Sequence, residues 1–126
     1  MTVYEILTAA FSLAGENFDD FPDKKLAVAW LNMTMSECVD AENLIRAKKG
    51  FEKYTVVPRI EELYDTVDMD EKLCTVTLPY GVAAFVSADR ERDYMAAEYR
   101  NRFIFSMSVA AKGWETSVAD FYRGEV

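Results

Sequence analysis

The acidic side chains are the first candidates for chemistry in this sequence, because it contains no histidine. Without histidine, the commonest general base near neutral pH and the usual catalytic triads are missing. Carboxylates cluster as Asp19 with Asp20, Glu61 with Glu62, and Asp68 with Asp70 and Glu71. Such clusters could bind a divalent cation, but none has the spacing of an EF-hand loop. They fall in predicted loops or helix starts, where capping and solvation explain them, so we expect no metal site.

The two cysteines and the five glycines also lack the spacing of known cofactor sites. Cys38 and Cys74 form no CxxC motif, whereas a structural zinc site takes about four ligands, drawn largely from cysteine and histidine. We interpret both as small buried apolar groups. The glycines form neither GxxxxGK[ST] nor GxGxxG, which leaves a nucleotide cradle without support. The sequence therefore predicts no catalytic residue, no cofactor and no enzymatic activity.

The charge of the chain limits its partners. A net charge of -8 and a pI of about 4.5 argue against nucleic-acid binding, which depends mainly on Lys and Arg displacing counterions. We interpret the acidity chiefly as a source of solubility. The modestly basic region around Arg90, Arg92, Arg100 and Arg102 is interleaved with acids, and pairs such as Glu98 with Arg102 favour a solvated helix face over salt bridges between subunits.

The start of the chain, MTVYEIL, has neither a basic stretch nor a long apolar core. We therefore expect neither a signal peptide nor a membrane span, and a reducing cytosol during synthesis. With 126 residues and 51% hydrophobic content, the chain suits one folded domain.

Two helices are predicted first. Residues 2–14 have apolar side chains at helical steps, and Thr2 with Glu5 forms a capping box. Residues 23–49 form the longest periodic segment, which Gly50 ends. At about 1.5 Å per residue this helix would reach roughly 40 Å, so we expect its far end to project toward a partner. Its predicted seam is Leu31, Met35, Cys38, Ala41 and Ile45, widened by Leu26, Trp30 and Met33.

Residues 51–60, FEKYTVVPRI, change in character after Gly50. Tyr54, Val56 and Val57 favour an extended strand, and Pro58 confines it to an edge, because proline cannot donate to a sheet ladder. No second convincing strand follows. We predict either an extended arm or a short β-hairpin, whose pairing partner is very short or belongs to another chain.

The stretch LPYGVAAFV, residues 78–86, places Pro79 and Gly81 inside an apolar run. We predict a kinked helix over residues 71–88, capped by Asp68 or Asp70, with a strand over residues 74–78 as the alternative. The kink would aim Tyr80 and Phe85 at different surfaces, although an ordinary core kink without a role in assembly is the simpler interpretation.

A last long helix is predicted over residues 90–112, capped by Asp89 and closed by Gly113. Its expected core stripe is Tyr99, Phe103, Met107 and Ala110. Residues 113–126 then form a tail whose aromatic residues are expected to dock on this domain or on a neighbouring subunit. The predicted fold is mainly α, a bundle of about four to five helices over residues 1–112 with the arm at 51–60.

These residues resemble a family. LCTVTLPYGVAAFVSAD (73–89) and AAEYRNRF (96–103), with WLNM (30–33) and Glu37, Cys38, Glu42 and Asn43 upstream, are similar to small proteins encoded in the head region of tailed phages and prophages. The chain resembles the head–tail connector, or adaptor, proteins. The likeness extends from the first helix to about residue 111 and carries no catalytic signature.

The resemblance implies a helical virion subunit, assembled in the bacterial cytoplasm, that joins a ring beneath the portal protein once DNA is packaged. Such a ring would contain about twelve copies and present a surface to the next tail-side component, although the isolated chain can be a monomer. The alternative is a small acidic regulatory or inhibitory protein of a mobile element that binds one host protein. The expected interface residues are Phe51, Tyr54, Val56, Val57, Arg59, Trp114, Phe121 and Tyr122.

Overall fold

Four α-helices account for most of the computed structural model, which describes residues 1–112. They are α1 (Val3–Leu13), α2 (Lys24–Lys49), α3 (Leu78–Asp89) and α4 (Asp93–Lys112). A 3-10 turn lies at Phe18–Asp20, and a π-helical turn at Leu73–Thr77 leads into α3. Within these residues there is no strand, only an isolated antiparallel bridge between Thr2 and Thr66. The predicted mainly α bundle is confirmed, and the β-hairpin alternative does not form.

The predicted capping box begins α1. The Thr2 backbone amide donates to Glu5 Oε1 at 3.0 Å, and the Glu5 amide donates to Thr2 Oγ1 at 3.2 Å. These two bonds satisfy amides that the first helical turn leaves free. The buried face includes Ile6 and Phe11, whereas Leu13, at the edge of the apolar stripe, is 40% exposed.

Helix α2 begins and ends where the sequence predicts. The Asp23 side chain accepts from the Leu26 amide at 3.1 Å, and Gly50 has a φ of 75°, the left-handed conformation that ends a helix. All five seam residues and Trp30 are buried. Leu26 and Met33 are 37% and 53% exposed, so the apolar stripe is narrower than predicted.

The far end of α2 does not project free of the bundle. Lys48 Nζ donates to the carbonyl oxygens of Ala111 at 2.9 Å and Lys112 at 2.8 Å, at the end of α4. Ile45 packs in a buried cluster with Leu73 and Ala110. The expectation from helix length was wrong because α4, with 20 residues, runs far enough to cover the last turns of α2.

The helix around Pro79 is continuous, and the strand over residues 74–78 does not form. Asp70 caps it: its Oδ2 accepts from the Lys72 amide at 3.1 Å, and its carbonyl accepts from the Cys74 amide at 3.0 Å. The Leu78 amide donates to the carbonyl of Leu73, five residues back, which is the π-helical pattern. Pro79 follows directly and is buried, so the wide turn accommodates a residue that has no amide to donate.

Gly81 sits where three helices meet. A Cβ at this position would lie 2.4 Å from Thr34 Cγ2 on α2 and 2.9 Å from Phe103 Cδ1 on α4. The glycine therefore allows α3 to approach both neighbours closely, which the kink hypothesis did not foresee. Tyr80 and Phe85 do face different helices: Tyr80 stacks on Tyr99 of α4 at 6.3 Å, and Phe85 stacks on Trp30 of α2 at 6.0 Å.

Helix α4 starts later than predicted, and Asp89 ends α3 instead of capping α4. The amides of Arg90, Glu91 and Arg92 bond back to carbonyls at the end of α3, and Glu91 takes a φ of 58°. This left-handed residue turns the chain before α4 can begin. The core stripe of α4 is confirmed, with Tyr99, Phe103 and Ala110 buried and Met107 half-buried against the core. Gly113 lies outside the described residues.

Candidate assembly surface

Residues 51–60, called the arm below, contain no helix or strand, bend at Thr55 and Val56, and are fixed to α2 by two asparagine side chains. Asn43 Oδ1 accepts from the Tyr54 amide at 2.8 Å, and its Nδ2 donates to the Tyr54 carbonyl at 3.1 Å. Asn32 makes the same pair with Ile60, at 3.0 Å and 2.9 Å. Each amide group reproduces the two hydrogen bonds that a neighbouring antiparallel strand would make. The arm is therefore held at both ends.

The prediction of a paired strand here was wrong. No strand forms in the arm, which bends at Thr55 and Val56, and its hydrogen-bond partner is the face of a helix. Asn32 and Asn43 lie about three helical turns apart, which puts both on the same face of α2. That spacing was the available signal in the sequence, and it was missed because asparagine alone predicts only caps and turns.

A network of charged and aromatic groups fastens the first anchor. The Arg46 guanidinium lies over the Tyr54 ring, 3.9 Å from its centroid, and its Nε donates to Glu42 Oε1 at 3.2 Å. Tyr54 donates through its hydroxyl to Asp68 Oδ2 at 2.8 Å. Burial, reinforced by that hydrogen bond to Asp68, raises the pKa of Tyr54 to about 12. The phenol is therefore neutral at physiological pH.

Glu42 lies at the centre of this network and is only 3% exposed. Its Oε2 accepts from the Asp70 amide at 2.9 Å, while Oε1 pairs with Arg46, so both carboxylate oxygens are used. Lys49 pairs with the Asp70 carboxylate at 2.9 Å. A buried carboxylate is tolerated because it is fully hydrogen-bonded. The network joins α2, the arm and the start of the next helix.

Between its anchors the arm exposes apolar side chains: Val56 is 77% exposed and Val57 40%, and Arg59 is also exposed. Phe51, which precedes the first anchor, is 60% exposed. Tyr54, predicted as an interface residue with these four, is half-buried and serves as an anchor instead. The remaining predicted interface residues, Trp114, Phe121 and Tyr122, lie outside the described residues.

A second apolar surface was not found from the sequence. It is a groove of about 670 Å³ between the helix containing Pro79 and α4, called the α3–α4 groove below. Its floor includes Val76, Tyr80, Phe105 and Val109, and Phe105 is 72% exposed. Phe105 and Val109 are four residues apart on α4, off the core stripe, which is the signal that sequence reasoning overlooked.

Several of the candidate chemical groups have structural roles. Within residues 1–112, no group of three or more His, Cys, Asp or Glu residues is placed to hold a metal ion. Asp19 accepts from the Tyr4 hydroxyl at 2.7 Å, while the amides of Glu61 and Glu62 donate to Asp65 Oδ2. Both cysteines are buried and free, as predicted.

Burial also decides the state of the two thiols. It raises the pKa of Cys38 to about 12 and that of Cys74 to about 11. Neither sulfur is a thiolate near neutral pH, so neither is a nucleophile. The described residues expose apolar side chains on the arm and along the α3–α4 groove.

The described residues thus define a small α-helical bundle protein with an anchored, outward-facing arm. Comparison of the chain with protein-family models, with curated proteins and with solved structures finds no match. None of the helices within the described part of the chain is long and apolar enough to cross a membrane.

Proposed function

We propose that this chain is a structural virion protein of a tailed phage or prophage. It acts as a head–tail connector, or adaptor, that joins the portal ring to the tail-side components after DNA packaging. The observation that carries the proposal is the arm, whose apolar side chains Val56 and Val57 face outward although both of its ends are fixed to α2.

The arm suits an assembly contact because it is ordered before a partner arrives. Anchoring at Tyr54 and Ile60 reduces the conformational entropy that binding would otherwise cost. Each square ångström of apolar surface covered by a partner then contributes about 25 cal/mol. An exposed apolar segment held in this way gains more from association than a free loop of the same composition.

The backbone of the arm offers a second means of attachment. None of the hydrogen bonds described within residues 1–112 involves a backbone group of residues 55–59. Such unpaired backbone groups can form hydrogen bonds with a segment of a neighbouring chain, while the exposed side chains beside them provide specificity. This supports repeated contact between copies in a ring of about twelve, matched to the portal.

The acidity of the chain is compatible with this position. A net charge of -8 repels the DNA backbone, and DNA must slide through the channel of a connector without adhering to its wall. The proposed location is the head–tail junction of the virion, and the proposed partners are the portal protein, the tail-side connector protein and further copies of this chain.

Capture by the portal protein encoded with this chain tests the proposal. Purified portal rings are mixed with the wild-type chain or with the double variant V56D/V57D, and bound mass is measured after sedimentation. We expect the wild-type chain to saturate at one copy per portal subunit and the double variant to bind at least about tenfold more weakly, because two charges would enter an apolar contact.

Tyr94→Asp is the matched control, because Tyr94 is 81% exposed at the start of α4, outside the arm. It should bind the portal like the wild-type chain. Failure of the wild-type chain to bind portal rings, or equal binding by V56D/V57D, would contradict the proposal. Stoichiometric capture of one host protein without any portal binding would favour the regulatory alternative.

A further inference from the structure

The α3–α4 groove combines an apolar floor with a positively charged rim. Lys72 stands at the end near Ala110, and Arg102 stands at the other end near Tyr80. No acidic residue lines the groove, although Glu98 pairs with Arg102 at 3.0 Å from outside it. In a chain of net charge -8, a groove with this lining favours an acidic segment that carries large apolar side chains.

The sequence beyond α4 has that composition. Residues 113–126, GWETSVADFYRGEV, contain Glu115, Asp120 and Glu125 against Arg123. Their large apolar residues recur at steps of three and four: Trp114, Val118, Phe121 and Tyr122. This spacing places apolar groups on one side of a helical segment.

The length of the groove and the position of the end of α4 also suit this segment as its occupant. The groove begins at Ala110, close to the end of α4 at Lys112, and extends back along α4 to Arg102. That distance along the helix is about 12 Å, and a helical segment from Trp114 to Tyr122 also spans about 12 Å. Gly113 stands between the two, and glycine is the residue that most readily allows a chain to reverse direction after a helix.

We propose that the C-terminal segment 113–126 of this chain folds back and docks in its own α3–α4 groove. Docking would cover the exposed apolar side chains of the groove, such as Val76 and Phe105, with the apolar residues of the segment, and would bring its acidic residues toward Lys72 and Arg102. Because the segment is tethered beside the groove, its effective concentration there is in the millimolar range, which favours the chain's own segment over that of a second copy.

Disulfide trapping distinguishes the possible occupants. Ser106, which lines the groove, and Val118 are both replaced by cysteine, and the purified chain is oxidised and examined by non-reducing electrophoresis and mass spectrometry. The buried Cys38 and Cys74 remain in place. The wild-type chain, which has only these two cysteines, measures their contribution to disulfide formation. We expect a disulfide within one chain, at a yield about tenfold above that of the control pair Met33→Cys with Val118→Cys. Met33 is 53% exposed on α2, away from the groove.

Disulfide-linked dimers would overturn the proposal in favour of a second copy, and a yield no higher than the control would overturn docking altogether.

Trp114 fluorescence gives an independent measurement, taken as the difference between the wild-type chain and Trp114→Phe. Phe105→Asp should increase acrylamide quenching of Trp114 about threefold, whereas Tyr94→Asp should leave it unchanged, as expected for an exposed site on the same helix outside the groove. Unchanged quenching in Phe105→Asp, with helix content preserved by circular dichroism, would also overturn the proposal. None of these outcomes depends on portal binding.

Discussion

Gly81 constrains the packing of three helices because only a residue without a side chain fits at this position. A methyl group there would overlap Thr34 Cγ2 at 2.4 Å and Phe103 Cδ1 at 2.9 Å. Both neighbours are buried on other helices, so neither has open space into which it could move. The identity of this residue is therefore fixed by the distance between helices.

Gly81→Ala tests this account of the core. Overpacking costs about 2–3 kcal/mol here, and the better helix propensity of alanine returns about 1 kcal/mol, so we expect a net loss of about 1–2 kcal/mol in the free energy of unfolding. Urea denaturation followed by circular dichroism measures it. Adding Thr34→Ser removes the closest methyl group while keeping the hydroxyl that donates to the Trp30 carbonyl, and should restore part of the loss. A Gly81→Ala variant as stable as the wild-type chain would show that the helices separate freely at this point.

Pro79 differs from Gly81 in that its effect is local. Any helix must lose one backbone hydrogen bond at a proline, and this helix does so beside a π-helical turn, where the Leu78 amide already bonds to the Leu73 carbonyl. The sequence predicted an irregular helix from Pro79, but not the π-helical turn at Leu73–Thr77. It did not reveal that the neighbouring glycine serves helix packing.

Among the larger elements, the arm depends most on side-chain hydrogen bonds. Asn43 and Asn32 each supply a donor and an acceptor to a backbone that has no neighbouring strand in the described residues. The Tyr54–Arg46–Asp68 contacts add to the first anchor. Loss of one asparagine should therefore release one end of the arm without unfolding the helices.

Asn43→Ala is expected to lower the free energy of unfolding by about 1–2 kcal/mol, since two hydrogen bonds of about 1 kcal/mol each are lost while water can solvate part of the arm backbone. The more specific readout is amide hydrogen exchange, which should become faster at Tyr54 while that of α1 stays unchanged. Exposed Asn101 on α4 provides the control, because Asn101→Ala should alter neither quantity. Unchanged exchange at Tyr54 in Asn43→Ala would mean that the Tyr54 ring and Arg46 hold the arm by themselves.

The molecule as a whole combines strong negative charge with localised apolar surface. Self-repulsion at a net charge of -8 keeps copies apart at low ionic strength, whereas the exposed side chains of the arm favour association. Salt weakens the self-repulsion, since it screens charges over about 10 Å at 0.1 M, and it does not weaken the apolar contact.

Raising the salt concentration from about 0.05 M to about 0.5 M should therefore increase the weight-average mass of the isolated chain, measured by light scattering across protein concentrations. V56D/V57D should remain at the monomer mass under both conditions, because the apolar contact is removed and charge is added. A mass that is independent of salt for both proteins would indicate that self-association requires the portal. A rise in mass for both proteins alike would place the contact outside the arm.

Local signals in the sequence located the helices well. The Thr2–Glu5 capping box, the Asp23 cap and the left-handed Gly50 each depend on residues within one turn, so residue types suffice to predict them. The same holds for the seam of α2, where apolar residues at helical steps proved to be buried. The start of α4 was predicted too early because residue types alone make both Asp89 and Glu91 reasonable helix boundaries. The hydrogen bonds that fix the boundary are made by the consecutive amides of residues 90–92.

Residue types along the chain thus determined that this protein is a helical bundle with a non-helical segment after Gly50, since capping and periodicity act over a few residues. Contacts between distant parts of the chain decided the rest: Gly81 between Thr34 and Phe103, the arm paired with Asn32 and Asn43, the covered end of α2, and the α3–α4 groove. Those features depend on distances between helices, and no spacing along a single segment encodes them.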